Sequence, residues 1–387
     1  MSAATLGKKY DVAVVGAGVF GAWTAWHLAK RGQSVLLLDA WGIAHARASS
    51  GGESRIIRMG YGGDELYTRW SQRSLVQWKE LFEVANEALF HETGVLWLAR
   101  HNGPRELQTL DTLQRCGVNH RVLQRAELVQ RYPQINLDGV EFGIFEPSSG
   151  VLLARRAVAA VVRDALRQGV EYRRAQVASP EASAAEAGIT TTSGDTIVAA
   201  KKIFACGPWL GKLFPEVLGS RIFPTRQEVF FFATPAGDSR FAAPALPTWL
   251  FQEDLVYGMP DIESRGLKIA FDQHGEPVDP DTQSRFASAE AAEQARRYVA
   301  RRFPAMRDAP IVESRVCQYE NSSSGDFLVD RHPALDNVWL VGGGSGHGFK
   351  HGPAMGEYAA GQILGDAGRE ARFSLASKET VQCRAVY

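Results

Sequence analysis

Cysteine is scarce, with only Cys116, Cys206, Cys317 and Cys383 among 387 residues. Four scattered thiols build no disulfide framework, and no two sit at the spacing of a zinc-ligand pair, so no metal is expected. Neither sign of charge prevails: 43 Lys and Arg face 43 Asp and Glu. That balance argues against nucleic acid or an anionic membrane held by bulk charge. No run reaches the ~18 apolar residues that a bilayer span needs, and the first residues lack a signal-peptide pattern. The expectation is a soluble, cytoplasmic monomer. With 45% hydrophobic residues and no net charge, the chain also lacks the composition of disorder. Its length leaves room for roughly two or three domains. Glycine is the residue in excess, at 38 positions, where the usual ~7% would give about 27.

The first glycine cluster lies in one continuous unit. Asp11-Val-Ala-Val-Val15 is a short β-branched run suited to a buried strand. Gly16-Ala-Gly18-Val-Phe-Gly21 follows, then a helical pattern over Ala22 to Lys30, and a second strand over Ser34 to Leu38 closed by Asp39. This is the dinucleotide fingerprint in its proper context. Gly16 permits the tight turn, Gly18 opens the backbone to a pyrophosphate, and Gly21 lets helix and sheet approach. The helix N-terminus offers free N–H groups and partial positive charge. Asp39, at the end of the second strand, is placed for a ribose and disfavours a 2′-phosphate. The ligand is NAD or FAD.

The remaining chain separates the two. A nicotinamide dehydrogenase would continue in strand–helix repeats, but residues 43–62 read as irregular and polar. A second strand–glycine–helix unit comes only at Val338 to Lys350, with Gly344 in its glycine segment and a helix from about Gly352 to Leu364. Fingerprints at both ends imply a nucleotide lobe assembled from discontinuous segments around an inserted one. Flavoproteins that wrap an extended FAD are built this way, so FAD is the expected cofactor.

The ordered landmarks run from Val15-Gly-Ala-Gly18 through Ser54-Arg-Ile-Ile-Arg58, Thr93-Gly-Val-Leu96, Phe145 to Leu152 and Ala205-Cys-Gly-Pro-Trp209. They continue with Arg226-Gln227, Tyr257-Gly258, Gly266-Leu-Lys268, Cys317-Gln-Tyr319, Asp330-Arg-His-Pro333 and Gly344 to Lys350. With these the chain resembles the monomeric sarcosine oxidase family, within the D-amino-acid-oxidase-type flavoproteins. The resemblance covers most of the chain. It implies an α/β fold in which an FAD-binding Rossmann-like lobe (1–88, 150–216 and 320–387) interleaves with a mixed-sheet substrate lobe (89–149 and 217–319). The strand-like runs Val229 to Ala233 and Leu267 to Phe271 fit such a sheet, and the Ala-rich residues 182–187 read as a loop.

The same resemblance distributes roles. Cys317 would carry FAD through an 8α-thioether, although a free cysteine is more often a small buried hydrophobe. Arg58 and Lys350 would bind the substrate carboxylate, for which a guanidinium fork is the natural partner; Arg55 would lie near the flavin and assist its attachment. Lys268 would promote O₂ reduction, because a fixed cation stabilises the charge that forms on oxygen. Tyr257 and His347 would shape the pocket. The chain departs from the family at Asp272, where relatives carry histidine, and an acid there favours a cationic or polar substrate arm. The implied activity is oxidation of the C–N bond of a secondary amino acid with release of H₂O₂. Two other readings stay open: an amine dehydrogenase with another electron acceptor, and a flavin-binding subunit without turnover.

Overall fold

The structure, a computed structural model, describes residues 8–180 and 188–383. The Ala-rich segment at 182–187 therefore lies outside the described residues. The predicted fingerprint forms β1 (Tyr10–Val15), α1 (Val19–Lys30) and β2 (Val35–Asp39). The helix begins three residues before the expected Ala22, with Gly18 as N-cap and no side chain capping it. Its first N–H groups are thereby left for a ligand.

β1 and β2 sit inside a six-stranded sheet ordered Leu328–Arg331, Val338–Gly342, Ala199–Phe204, β1, β2, Glu171–Arg174. All neighbours run parallel except the Leu328–Arg331 edge, which is antiparallel. Helices cover the sheet, and β1 and β2 are consequently buried along nearly their whole length. The helix Gly352–Leu364 lies so close to α1 that a Cβ on Gly356 would stand 2.6 Å from the Trp23 backbone.

A second, eight-stranded sheet runs Ile311–Ser322, Ile222–Phe232, Leu267–Phe271, Val256–Met259, Thr248–Phe251, Val95–Ala99, Phe142–Glu146, Arg121–Gln124. It is mixed, as expected: Thr248–Phe251 pairs parallel with Val95–Ala99 and the other pairs are antiparallel. Phe230, Phe232, Trp249 and Phe251 pack with Phe241 and Phe303 into its core, each ring burying ~150–250 Å².

One stretch differs from expectation. Within residues 43–62, Arg55–Ile57 is a strand, antiparallel to Gly150–Leu152, which also pairs with Phe90–His91. The β-branched pair Ile56–Ile57 explains it, since Ile57 is fully buried while Arg55 and Ile56 stay partly exposed. Among the described residues no helix is long and apolar enough to cross a membrane.

Candidate active site

The fingerprint, the Ala205–Trp209 loop and the Gly344–Phe349 segment enclose a cavity of about 370 Å³. Gly16, at φ +104°, turns so tightly that a Cβ would meet the Ala205 carbonyl oxygen at 2.3 Å. A Cβ on Gly21 would lie 1.8 Å from the Gly16 oxygen. Gly18 differs, because its Cβ would touch only Ser50 Oγ, at 3.5 Å. The chain crowds the first and third glycines and leaves the space beside the second to a ligand. Asp39 lines the cavity while its carboxylate accepts the N–H groups of Ala17 (2.9 Å), Trp41 (2.8 Å) and Gly42 (3.0 Å). It braces the turn. Buried polar atoms without partners, His45 Nδ1, Ser49 Oγ and Glu320 Oε1, belong to residues of the same cavity. Open backbone, a helix N-terminus and unspent hydrogen-bond groups fit FAD.

A second cavity of about 220 Å³ shares Ala48, Arg55, Tyr319 and Gly346 with the first. It brings together Cys317, Lys268, Tyr257 and Arg55, which lie far apart in sequence. Arg55 donates from Nη2 to the Ser49 carbonyl at 2.6 Å and stands 3.4 Å from Cys317 Sγ. Lys268 is buried, donates to the Ser54 carbonyl (2.9 Å) and meets Ser54 Oγ at 3.2 Å. Burial, reinforced by the Arg55 charge, pushes its ammonium down to about 7. Tyr257 is driven up to about 12 by burial and by Asp272. Asp272 itself is half-buried and accepts Tyr319 Oη–H at 3.2 Å. Burial raises its carboxyl, against the pull of Arg58, Tyr319 and Lys350.

Arg58, Lys350 and His347 line neither cavity; they gather around Tyr61. The Arg58 guanidinium lies over the Tyr61 ring at 4.3 Å and the Trp97 ring at 4.7 Å, donating to the Gly60 carbonyl. Lys350 donates to Tyr61 Oη (2.8 Å) and to the His347 carbonyl (3.0 Å). Because Tyr61 accepts from the lysine, its own proton is free for His351 Nε2, 2.8 Å away. Burial keeps that imidazole neutral, as this chain of donors requires. His347 stacks on Phe327 and directs Nε2 to the Gly325 carbonyl at 3.0 Å. Arg58 and Lys350 are each about 5% exposed, and among the described residues neither forms an ion pair. Two buried basic side chains with no ion-pair contact of their own, and only Asp272 and Glu146 acting on Lys350 from a distance, leave room for an anionic ligand.

Sequence reading passed over several members of this site. Tyr61 stands within a quoted stretch but carried no signal of its own. Glu146 is a fully buried acid that accepts from Met59 N, Gly60 N, Trp97 Nε1 and Ser149 Oγ, and so fixes the turn after Arg58. Cys206, given no role from sequence, lines the cofactor cavity and reaches the Val15 carbonyl.

The fold and cofactor cradle define a flavin-dependent oxidoreductase, and comparison with known proteins bears this out. Residues 11–362 match the DAO family model, described as FAD dependent oxidoreductase. The chain belongs to that family. It is 32% identical over 360 residues to the peroxisomal sarcosine oxidase of Homo sapiens, covering 90% of each chain. Against the monomeric sarcosine oxidase of Bacillus sp. (strain B-0618) it is 30% identical over 363 residues, covering 91% of each. The crystal structure of L-proline dehydrogenase from P. horikoshii superposes with a TM-score of 0.83 at 20% identity, covering 96% of this chain and 98% of that one. At that identity the likeness speaks for the fold.

Proposed function

We propose that the protein oxidises the C–N bond of a secondary amino acid, N-alkylated or cyclic, to an imine, with O₂ reduced to H₂O₂. The observation that carries this reading is the Arg58–Lys350 pair, two buried basic side chains with no ion-pair contact among the described residues, one residue from Phe349 of the cofactor cavity. The sarcosine oxidases to which the chain is similar support the substrate class. When bound, FAD supplies a two-electron acceptor that O₂ can reoxidise. Arg58 and Lys350 hold the substrate carboxylate, and Tyr61 aims Lys350. Tyr257 and His347 shape the pocket. Lys268 holds a proton at Nζ and offers its charge to oxygen. Gly16, Gly18, Gly21, Asp39 and Gly344 cradle the dinucleotide, and the lobes divide at the boundaries given above.

Cys317 is the attachment point in this reading, supported by the Arg55 guanidinium 3.4 Å from its sulfur, where it can hold negative charge. Acid precipitation should leave the yellow colour in the protein pellet, and Cys317→Ser should release it to the supernatant. Free flavin from the wild type would refute the linkage and leave the fold untouched. The activity is tested in an oxygen electrode with sarcosine, other N-methyl amino acids, pipecolate and proline, with peroxide assayed in parallel. Oxygen uptake matched by peroxide is expected. Flavin reduction without oxygen uptake would make the protein a dehydrogenase, and no reduction at all would leave only a flavin-binding role.

A further inference from the structure

Glu320 is an acid with no evident reason to be where it is. It follows Cys317 by three positions on the strand Ile311–Ser322, is 7% exposed and lines the cofactor cavity. Among the described residues no cation forms an ion pair with it. The backbone of Gly343 and Gly344 lies near enough to favour its charged form, but its Oε1 has no hydrogen-bond partner. That oxygen would lie 2.3 Å from a Cβ on Gly342, so the carboxyl is wedged against the second glycine segment. A buried, unpaired carboxylate is costly, and a cofactor carrying a pyrophosphate adds negative charge to the same space.

The groups around it offer no relief. Pro224 faces it from the neighbouring strand, and Ser345 N donates to its main-chain carbonyl at 2.9 Å. The Cys206 thiol, from the loop after Ala199–Phe204, is pushed up by burial and stays uncharged. Asp39, His45, Arg55, Lys212 and Asp281 line the same cavity. Of these cations, Lys212 is already held by Asp279 and Asp281, and Arg55 by the carbonyls of Ser49 and Ser54.

We propose that Glu320 is a cofactor-contacting residue that enters the holoenzyme protonated, so that FAD is taken up together with one proton. The proton comes from bulk water, and no bond to the cofactor forms or breaks. Burial already lifts the carboxyl to about 7 in the protein without cofactor. Near neutral pH the empty site is therefore partly ionised, and FAD selects the neutral form.

The test uses the full chain with Cys317→Ala, which keeps binding reversible. Between pH 6.5 and 8.5 the Kd for FAD should rise about tenfold or more, and calorimetry at pH 7.5 in buffers of different ionisation enthalpy should show uptake of about 0.7 proton. Burial lowers His45 below its ordinary value, and Lys268, which titrates at about 7 beside the adjoining cavity, is removed from the comparison by carrying Lys268→Met in both proteins. Adding Glu320→Gln keeps the size of the side chain and an acceptor oxygen near Gly343 and Gly344, and should hold the Kd change within about twofold with no proton uptake. A wild-type-like slope in that variant overturns the proposal. Should the variant not fold, the Cys317→Ala protein decides alone: no proton uptake with FAD bound overturns it.

Discussion

Arg58 and Lys350 face a choice that their burial makes severe: without a bound anion the arginine stays a desolvated charge and the lysine is pushed toward its neutral form. Burial, with Arg58 nearby, lowers the Lys350 ammonium well below its usual range, and a bound carboxylate would restore it. Losing one charged hydrogen-bond partner in such a site costs about 2–4 kcal/mol. Arg58→Ala and Lys350→Ala should each raise KM for an amino-acid substrate about a hundredfold and hardly affect an amine lacking the carboxylate. Equal losses on both substrates would reject the clamp. In the proposed reaction Lys268 belongs to a different half. Lys268→Met keeps the length and removes the charge, a loss of ~3–4 kcal/mol for an anion forming on oxygen, or two to three orders of magnitude in rate. Stopped-flow traces should show slow reoxidation with anaerobic reduction little changed. Since the lysine is charged below its pKa, reoxidation should fall as pH rises above 7, and Lys268→Met should lack that limb. The same depressed value means that the unfolded chain binds the extra proton between pH 7 and 10.5, so this residue's contribution to stability rises with pH across that window.

The β1–α1–β2 element separates two uses of one amino acid. Gly21→Ala would gain about 1 kcal/mol of helix propensity, yet its methyl would sit 1.8 Å from the Gly16 oxygen. Overpacking costs about 1–3 kcal/mol, so the steric term wins. A lowered Tm of the cofactor-free protein is expected. Gly18→Ala meets nothing closer than 3.5 Å; its Tm without cofactor should match the wild type, while FAD affinity drops tenfold or more. The reverse pattern would reassign the two glycines. This element was legible because all of its information is local: strand, turn, helix and closing acid fall within Asp11 to Asp39. Tyr61 was not legible, since it meets Lys350 across 289 positions and His351 across 290. Nothing near residue 61 announces such partners. Glu146 and Glu320 were hidden for the same reason, as acids whose burial only the assembled sheets reveal. Lys268, Cys317 and Arg58 lay between these extremes, noticed through their motifs while their mutual placement waited for the fold.

At the scale of the molecule, each large sheet collects strands from separate stretches of chain. The six-stranded sheet takes residues 10–39, 171–204 and 328–342, and the eight-stranded sheet takes 95–146 and 222–322. The cofactor cavity needs Gly18 from the first stretch and Ser50 beyond it, Cys206 just after the second, and Gly344, Gly346, Gly348 and Phe349 just after the last. A chain ending at residue 330, expressed and purified with excess FAD, should therefore carry no flavin, whereas the full chain should carry about one per protein. Bound flavin in the shorter chain would show that the first fingerprint suffices. This interleaving also sets a schedule. At about 5–20 residues per second, a ribosome that has finished the first glycine turn needs roughly 15–60 s more to deliver the second. Throughout that interval the nascent protein exposes half a binding site, with a helix N-terminus facing water where a pyrophosphate belongs. On that schedule a complete flavin cradle waits for the segment from Gly344 to Phe349 to be made.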